Sequence, residues 1–253
     1  MLYNVERLIT IVMCCLIASE SGAQDTLRKA MPLQPAMTED WTPVADVTPG
    51  WFTNPPSDAI VLFDGNNTSE WISRKDSTTI SWKIVDRALR VSRGGGHIVT
   101  RKLFGDCQLH IEWRVPQEHY SNPMKKGNSG ILFQDRYEIQ ILDSYKHNTY
   151  TNAIAGSVYK QARPLVNPAR RPNEWNVFDI IYTAPRFNES GSLFSPARVT
   201  LLYNGVLVQN NTEIAGSTTY SGLPVYTHHG KASLQLQDHD SAVEFRNIWI
   251  REL

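Results

Sequence analysis

A chain of 253 residues can form one all-β domain or two smaller domains, and it is long enough to bury a substantial core. Its 25 Lys and Arg residues balance its 25 Asp and Glu residues, so the formal charge is zero. The sequence shows no basic excess that would favour a nucleic-acid partner, and no acidic tail that would favour a partner bound by charge. Seven Trp and ten Tyr residues suit a sandwich core or a surface that stacks on carbohydrate.

The N-terminal segment is predicted to be a signal peptide over residues 1–23. Its apolar run, 8–18, is too short to span a bilayer comfortably, and small residues at 21–23 precede the expected cleavage site. A buried N-terminal helix is the alternative, because Glu6 offsets Arg7 in the region where a signal peptide is usually basic. We therefore expect an exported protein, periplasmic or extracellular, without a membrane span.

Cleavage would leave Cys107 as the one remaining cysteine of three, so no internal disulfide is expected. Cys107 is then predicted to be a small buried hydrophobe. Residues 24–56 are rich in Pro and Thr and lack periodicity, which predicts an N-terminal tail that wraps over the domain.

From residue 60 onward, short strand-like runs alternate with Gly, Asn, Asp and Pro, and no long amphipathic helix interrupts them. This spacing predicts an all-β, two-sheet sandwich of jelly-roll type over residues 57–253. The predicted strands are 60–63, 82–85, 88–91, 97–100, 108–115, 129–134, 137–142, 156–159, 176–182, 198–203, 206–209, 232–237 and 243–252. Asn204-Gly205 predicts a type I′ hairpin turn, and 185–196 is expected to be a longer loop.

Alternation along three of these strands separates an apolar side from a polar side. Six polar side chains stand opposite apolar neighbours in this way: Glu112, Arg114, Glu138, Gln140, Gln235 and Gln237. Long amides and carboxylates with little Lys suit a floor that binds a polar ligand, whereas any antiparallel sheet can have one plain solvated face. The sequence predicts that the six share one concave face, with a plain surface as the alternative.

Nine stretches occur in an order that resembles a known family. They are LFDGNNTSEW (62–71), GGGHIVTRKLFGD (94–106), LHIEWRVP (109–116), GNSGILFQ (127–134), YEIQILDS (137–144), GSVY (156–159), EWN (174–176), NGV (204–206) and LQLQDHDSAVEFRNI (234–248). Over residues 57–253 they resemble the domain of unknown function 1080 family, described as 3-keto-disaccharide hydrolases or 3-keto-glucoside-1,2-lyase/hydratases. The resemblance implies a concanavalin A-like (lectin/glucanase) sandwich, usually exported, that acts on glycosides already oxidised at C3.

A ketone at C3 acidifies the C2 hydrogen, so a base can remove it, the C1 oxygen can leave by elimination, and water addition completes net hydrolysis. This route needs a base, an enolate stabiliser and an acid for the leaving group. Glu138 is the first choice for the base, with His97, His239 or Tyr159 as acid or base. The expected substrate-binding residues are Glu112, Arg114, Gln140, Trp175, Gln235 and Gln237.

Alternatives stay open at this point. The same sandwich serves non-catalytic, lectin-like binding modules. An ordinary glycosidase is less favoured, because Gln140 stands where a second carboxylate is needed. No cofactor is expected; a divalent cation is the alternative, held by carboxylates of Glu112, Glu138, Asp143 and Asp238. The expected partner is a small oligosaccharide or glycoside substrate, and not a nucleic acid.

Overall fold

Short runs rich in β-branched and aromatic residues form the strands of this protein, and the strands assemble into antiparallel sheets. The computed structural model describes residues 47–50, 54–146 and 149–253. The predicted signal peptide over 1–23 lies outside these ranges, as do residues 24–46 and 51–53 of the predicted tail. No helix in the described ranges is long and apolar enough to cross a membrane.

Fifteen strands lie in the described part of the chain. They are β1 (Ile60–Phe63), β2 (Trp71–Ser73), β3 (Lys83–Val85), β4 (Ala88–Arg90), β5 (Ile98–Phe104), β6 (Cys107–Arg114), β7 (Ser129–Phe133), β8 (Tyr137–Ile141), β9 (Asn176–Thr183), β10 (Arg186–Phe187), β11 (Leu193–Ser195), β12 (Arg198–Tyr203), β13 (Val206–Glu213), β14 (Ala232–Leu236) and β15 (Glu244–Glu252). Two single-turn 3-10 helices, Pro123–Lys125 and Thr151–Ala153, lie in the connections.

Two sheets make the sandwich. The larger has eight strands in the order β13-β12-β9-β6-β15-β4-β3, with β1 also pairing with β15. The smaller has five strands in the order β2-β5-β14-β7-β8, and β10 and β11 form a separate hairpin. The prediction of an all-β, two-sheet sandwich is confirmed.

The core lies between the apolar inner faces of the two sheets. Leu109 and Ile111 of β6 are fully buried there, as are Ile131 of β7 and Leu236 of β14. Each belongs to a strand whose alternate residues turn outward, which is the pattern of a sheet covered on one face. Cys107 is buried and free, as the sequence predicts.

Three local predictions have different outcomes. Asn204 and Gly205 join β12 to β13 with φ of 51° and 78°, and two positive φ values are what a type I′ turn requires. The predicted loop 185–196 is wrong in part, because β10 and β11 form a hairpin inside it. The predicted strand 156–159 is also wrong: Gly156, with φ of 84°, breaks the extended backbone, and Val158 makes only isolated bridges.

The prediction that six polar side chains share one face is wrong for two of them. Glu112 and Arg114 lie on β6 in the eight-stranded sheet, whereas the other four belong to the five-stranded sheet or its immediate continuation. Period-2 alternation tells which side of its own strand a residue takes. It does not tell which sheet the strand joins, and the outer faces of the two sheets of a sandwich point in opposite directions.

Candidate active site

A cleft of about 430 Å³ lies on the outer face of the five-stranded sheet. Most of its lining side chains are polar or charged, and several come from positions far apart in the chain. They are Arg74, His97, Asn128, Leu132, Asp135, Arg136, Glu138, Gln140, Tyr159, Ser217, Thr218, Tyr220, Gln235, Gln237 and His239. The structure therefore brings together the four predicted catalytic candidates and three of the six predicted substrate-binding residues.

The floor of the cleft follows from strand register. Glu138 of β8 pairs with Leu132 of β7, and Leu132 pairs with Gln235 of β14. Residues directly opposite each other in an antiparallel sheet share a face, so these three form one row. A carboxyl and an amide thus stand on either side of an apolar side chain, an arrangement that can contact both hydroxyl groups and C–H surfaces of a sugar.

Gly130 leaves the room that the Glu138 side chain occupies. It pairs with Gln140 of β8, and a Cβ at this position would lie 2.5 Å from Glu138 Oε1. The Gly130 carbonyl accepts a hydrogen bond from Gln237 N at 3.0 Å. A second row of the floor therefore runs from Gln140 past Gly130 to Gln237, with the carboxyl of Glu138 lying over the glycine.

Glu138 is the buried acid of the cleft, with 5% of its surface exposed. Burial raises the pKa of its carboxyl to about 8. When the Gln140 amide nitrogen faces its two acceptors, it donates to Glu138 Oε1 at 3.0 Å and to Ser129 O at 3.1 Å. The backbone N–H of Glu138 donates to Thr218 Oγ1 at 3.0 Å. The carboxyl is thus held in place and is unusually basic for its type.

Gln235 carries an acceptor that the protein leaves unsatisfied. Its side chain is 3% exposed, and its Oε1 has no hydrogen-bond partner. Among the described residues two other buried side-chain atoms share this condition, on Trp113 and Tyr203, and both of those residues belong to the core. An unsatisfied buried amide oxygen costs about 1–3 kcal/mol. A hydroxyl group of a ligand in the cleft would supply the missing donor.

His97 is held as a neutral imidazole. The backbone N–H of Asp238 donates to His97 Nδ1 at 3.1 Å, so the ring proton is on Nε2. Burial lowers the pKa of His97, and the nearby Arg74 guanidinium lowers it further. His97 can therefore offer an Nε2–H donor near neutral pH. His239 lies exposed at the rim of the same cleft.

Other polar groups of the rim are tied to each other. Arg74 makes two hydrogen bonds of 2.8 Å to Asp135, so both carboxylate oxygens of Asp135 are occupied. Tyr159 and Tyr150 bring their hydroxyl oxygens within 3.4 Å of each other. Burial and the Tyr150 hydroxyl raise the pKa of Tyr159, which keeps it a neutral phenol.

Three predicted substrate-binding residues lie away from the cleft, on the outer face of the eight-stranded sheet. Glu112 accepts hydrogen bonds from Arg246 at 2.6 Å and Asn247 at 2.9 Å, and Arg114 pairs with Glu244. The Trp175 ring lies 4.7 Å from the Arg114 guanidinium and 4.1 Å from that of Arg246. Because these contacts occupy all three side chains, Glu112, Arg114 and Trp175 are not retained as binding residues of the cleft.

Several residues of the cleft are absent from the predicted site, among them Arg74, Asp135 and three residues of the segment 217–220. Arg74 directly follows β2, a strand of three residues that periodicity does not reveal. Asp135 occupies the turn between β7 and β8, where Gln134 and Asp135 both have positive φ, and a two-residue gap between strand runs is a detectable hairpin signal. The segment 217–220 has no periodicity, and tertiary contacts alone bring it to the cleft.

The predicted alternative of a cation site requires four carboxylates to converge. Glu112 lies on the other sheet from Glu138, so the predicted set cannot form one site. In the described ranges, no group of three or more His, Cys, Asp or Glu side chains is arranged to hold a metal ion. The expectation that no cofactor is needed stays a prediction.

Residues 58–251 match the 3-keto-alpha-glucoside-1,2-lyase-like domain. A candidate glycosyl hydrolase of known structure from Parabacteroides distasonis ATCC 8503 is 45% identical, with a TM-score of 0.81 over 88% of this chain and 100% of its own. Two more candidate glycosyl hydrolases from that organism are 21% and 20% identical, with TM-scores of 0.58 and 0.55. Each covers 77% of this chain, with 94% and 99% of their own chains aligned, and they show the fold alone. No curated protein matches the chain.

Proposed function

The chain belongs to the 3-keto-alpha-glucoside-1,2-lyase-like family, and on that premise we propose that it cleaves 3-keto-glycosides by elimination across C1–C2 followed by hydration. One observation supports this reaction above the others. Glu138, a carboxyl whose pKa burial raises to about 8, lies on the floor of a polar cleft. A group of that basicity suits proton transfer near neutral pH better than an ordinary carboxylate.

In the first step the Glu138 carboxylate removes the C2 proton of the bound sugar. The electron pair of the C2–H bond moves into the C2–C3 bond, and the C3 carbonyl oxygen becomes an enolate. The Nε2–H group of His97 is a donor that can stabilise this oxygen, and a preorganised donor in a cleft is more effective than water. Gln140 holds the carboxyl of Glu138 in position.

In the second step the enolate reforms the ketone, a C1–C2 double bond forms and the bond from C1 to the glycosidic oxygen breaks. The departing oxygen takes a proton from an acid, for which His239 and Tyr159 are the candidates in the cleft. The products are a 2-hydroxy-3-keto-glucal and an alcohol. The orphaned Oε1 of Gln235 accepts from a hydroxyl group of the sugar throughout.

Hydration completes the reaction. The oxygen of a water molecule adds to C1 of the double bond, and that water gives a proton to the group that protonated the leaving oxygen, which restores this acid. Protonated Glu138 returns a proton to C2, which regenerates its carboxylate. The net change is one 3-keto-glycoside and one water converted to a 3-keto sugar and an alcohol. The same residue serves as base in the elimination and as acid in the hydration, because the C2 proton is removed in one and restored in the other.

The cleft gives less support to the alternatives. A lectin-like module needs hydrogen-bonding groups and stacking rings, but it does not need an acid buried at a cost in stability. An ordinary glycosidase needs two carboxyl groups flanking the scissile bond. The other carboxylate of the cleft, Asp135, is paired with Arg74, and Gln140 takes the next outward position after Glu138.

We also propose that the protein acts after export, because the apolar run 8–18 and the small residues at 21–23 have the features of a cleavable signal peptide. N-terminal sequencing of the protein recovered from its own cells tests this. A mature chain that starts near residue 24 supports export, and a chain that retains residues 1–23 contradicts it.

The test of the reaction compares a 3-keto-glucoside with the plain glucoside, with products followed by mass spectrometry. Only the keto substrate should be cleaved, and deuterium at C2 should slow the reaction where proton removal limits the rate. Glu138→Gln should lower kcat by about 10²- to 10⁴-fold. Glu213→Gln, which alters a carboxylate with a 56% exposed side chain outside the cleft, is the matched control and should retain activity.

Equal cleavage of both glucosides would refute the elimination and restore the ordinary glycosidase. Binding of the keto-glucoside without cleavage would favour the lectin-like module. Wild-type turnover by Glu138→Gln would leave Glu138 only a binding or structural role.

A further inference from the structure

A second cavity, of about 370 Å³, adjoins the cleft and shares Tyr159 and Tyr220 with it as walls. We propose that this cavity is the subsite for the aglycone, the group that leaves from C1, and that Tyr220 selects aglycones that present a ring with an apolar face. Such a ring is either a second sugar or an aryl group. The proposal rests on the proposed function. It adds the position of the leaving group and the chemical class of that group.

The position of the cavity supports this role. The keto-sugar must lie over Glu138 for its C2 proton to be removed, so the rest of a glycoside has to extend beyond the cleft floor. Tyr159 and Tyr220 border both spaces, so the second cavity is the neighbouring space into which the leaving group of a bound glycoside can extend. Tyr159, a candidate acid for the leaving oxygen, stands at this junction, where the scissile bond would lie.

Tyr220 has the features of a stacking platform. Its surface is 76% exposed, yet its position is fixed by Lys160. The Lys160 Nζ donates to Tyr220 O at 2.6 Å and lies 4.2 Å from the centre of the Tyr220 ring, close enough for a cation–π contact. A large aromatic ring that is both exposed and held offers contact area at a small entropic cost on binding.

The loop that carries Tyr220 is anchored beside the catalytic base. Gln161 donates through Nε2 to Gly216 O at 3.0 Å and accepts from Ala215 N at 2.7 Å, which fixes the start of the loop. Thr218, two residues before Tyr220, accepts the backbone hydrogen bond of Glu138. The second cavity and the base are therefore positioned by one segment, as expected if both act on the same substrate.

The test uses 3-keto-glucosides that differ only in the aglycone: methyl, p-nitrophenyl or glucosyl. In Tyr220→Ala, the ratio of kcat/KM for a ring-bearing substrate to that for the methyl substrate should fall about tenfold, the effect expected for losing one good apolar contact. Tyr220→Phe keeps the ring and should keep the ratio. Phe194→Ala is the matched control, because Phe194 is 78% exposed and lines neither cavity.

If the ratio for the p-nitrophenyl substrate falls more, the aglycone of the natural substrate is an aryl group. If the ratio for the glucosyl substrate falls more, the aglycone is a second sugar. A ratio in Tyr220→Ala within twofold of wild type for both substrates would overturn the subsite, while turnover by the wild-type protein would leave the proposed function intact. If the wild-type protein cleaves none of the three, the proposed function fails, and the existence of the subsite is then tested by ligand binding. NMR titration with the three plain glucosides should then show a preference for the ring-bearing ligands that Tyr220→Ala loses; no such preference would overturn the proposal.

Discussion

Replacing Glu138 with Gln should make the fold relatively more stable as the pH rises. Burial raises the pKa of this carboxyl from 4.5 to about 8. Each pKa unit corresponds to 1.36 kcal/mol, so ionising the buried carboxyl costs about 5 kcal/mol more than ionising it in the unfolded chain. A glutamine has nearly the same shape and cannot ionise, so it lacks this cost.

The sign follows from proton binding. Below pH 4.5 the carboxyl is protonated in both states and contributes no difference. Between pH 4.5 and about 8 the unfolded chain releases the proton while the native state keeps it, so this group lowers the stability of the wild-type protein as the pH rises. Above about 8 both states are ionised and the effect levels off. The free energy of unfolding of Glu138→Gln relative to wild type should therefore increase by about 5 kcal/mol between pH 4 and pH 9.

Urea unfolding followed by fluorescence at pH 4, 6, 8 and 9 measures this difference without any substrate. Glu213→Gln is the control, and its difference from wild type should not change comparably, because that side chain is 56% exposed. If the difference for Glu138→Gln stays constant across the range, Glu138 titrates normally in the native state. The cleft would then contain no unusually basic carboxyl, whatever the kinetics show.

Three further predictions concern both sheets. Gly130→Ala should lower kcat by about 10- to 100-fold in a folded protein, because the new Cβ displaces the Glu138 carboxyl; unchanged kcat would show that the position of that carboxyl is not critical. Trp175→Ala should lower the unfolding free energy by about 1–2 kcal/mol with kcat/KM within twofold of wild type, whereas a large kinetic loss would restore Trp175 as a substrate platform. Although burial would lower the pKa of His110, a hydrogen bond to Asp179 and the neighbouring Glu112 carboxylate raise it to about 9. His110→Gln should thus cost about 3 kcal/mol below pH 6.5, and this loss should vanish as the pH passes 9 in chemical denaturation; a pH-independent loss would exclude a charged His110.

Alternation along a strand is a local property. It predicted which face of its own strand each polar side chain of the cleft floor takes. Glu138 and Gln140 on β8 and Gln235 on β14 all take the outer face of their sheet, as period 2 requires. Register then places Glu138 and Gln235 in one row, which no local pattern contains. The family resemblance adds the expectation of a sandwich, but it does not assign each strand to a sheet.

The remaining parts of the site depend on contacts between distant positions. Arg74 reaches Asp135 across 61 residues of sequence, and Glu138 reaches Thr218 across 80. The loop that carries Tyr220 has no periodic pattern, and Gln161, 55 residues before Gly216, fixes where it begins. Such contacts form only when the sheets have assembled, so the residue pattern within a single segment does not predict them.

Glu112 and Glu138 show why the residue pattern alone did not distinguish a glutamate with a structural role from a candidate catalytic glutamate. Each is a glutamate flanked by apolar residues on a strand, and each turns to the outer face of its sheet. Although burial opposes it, the nearby His110 ring and hydrogen bonds from Asn247 and Arg246 lower the pKa of Glu112 to about 2. That carboxylate therefore already has partners within its own protein. Among the described residues, the Glu138 carboxyl has only the Gln140 amide as partner, and burial raises its pKa to about 8. The Glu112 carboxylate is already paired within the protein, so it has little affinity left for a proton or a substrate group. The buried Glu138 carboxyl has no cation beside it, so it can accept a proton from a substrate.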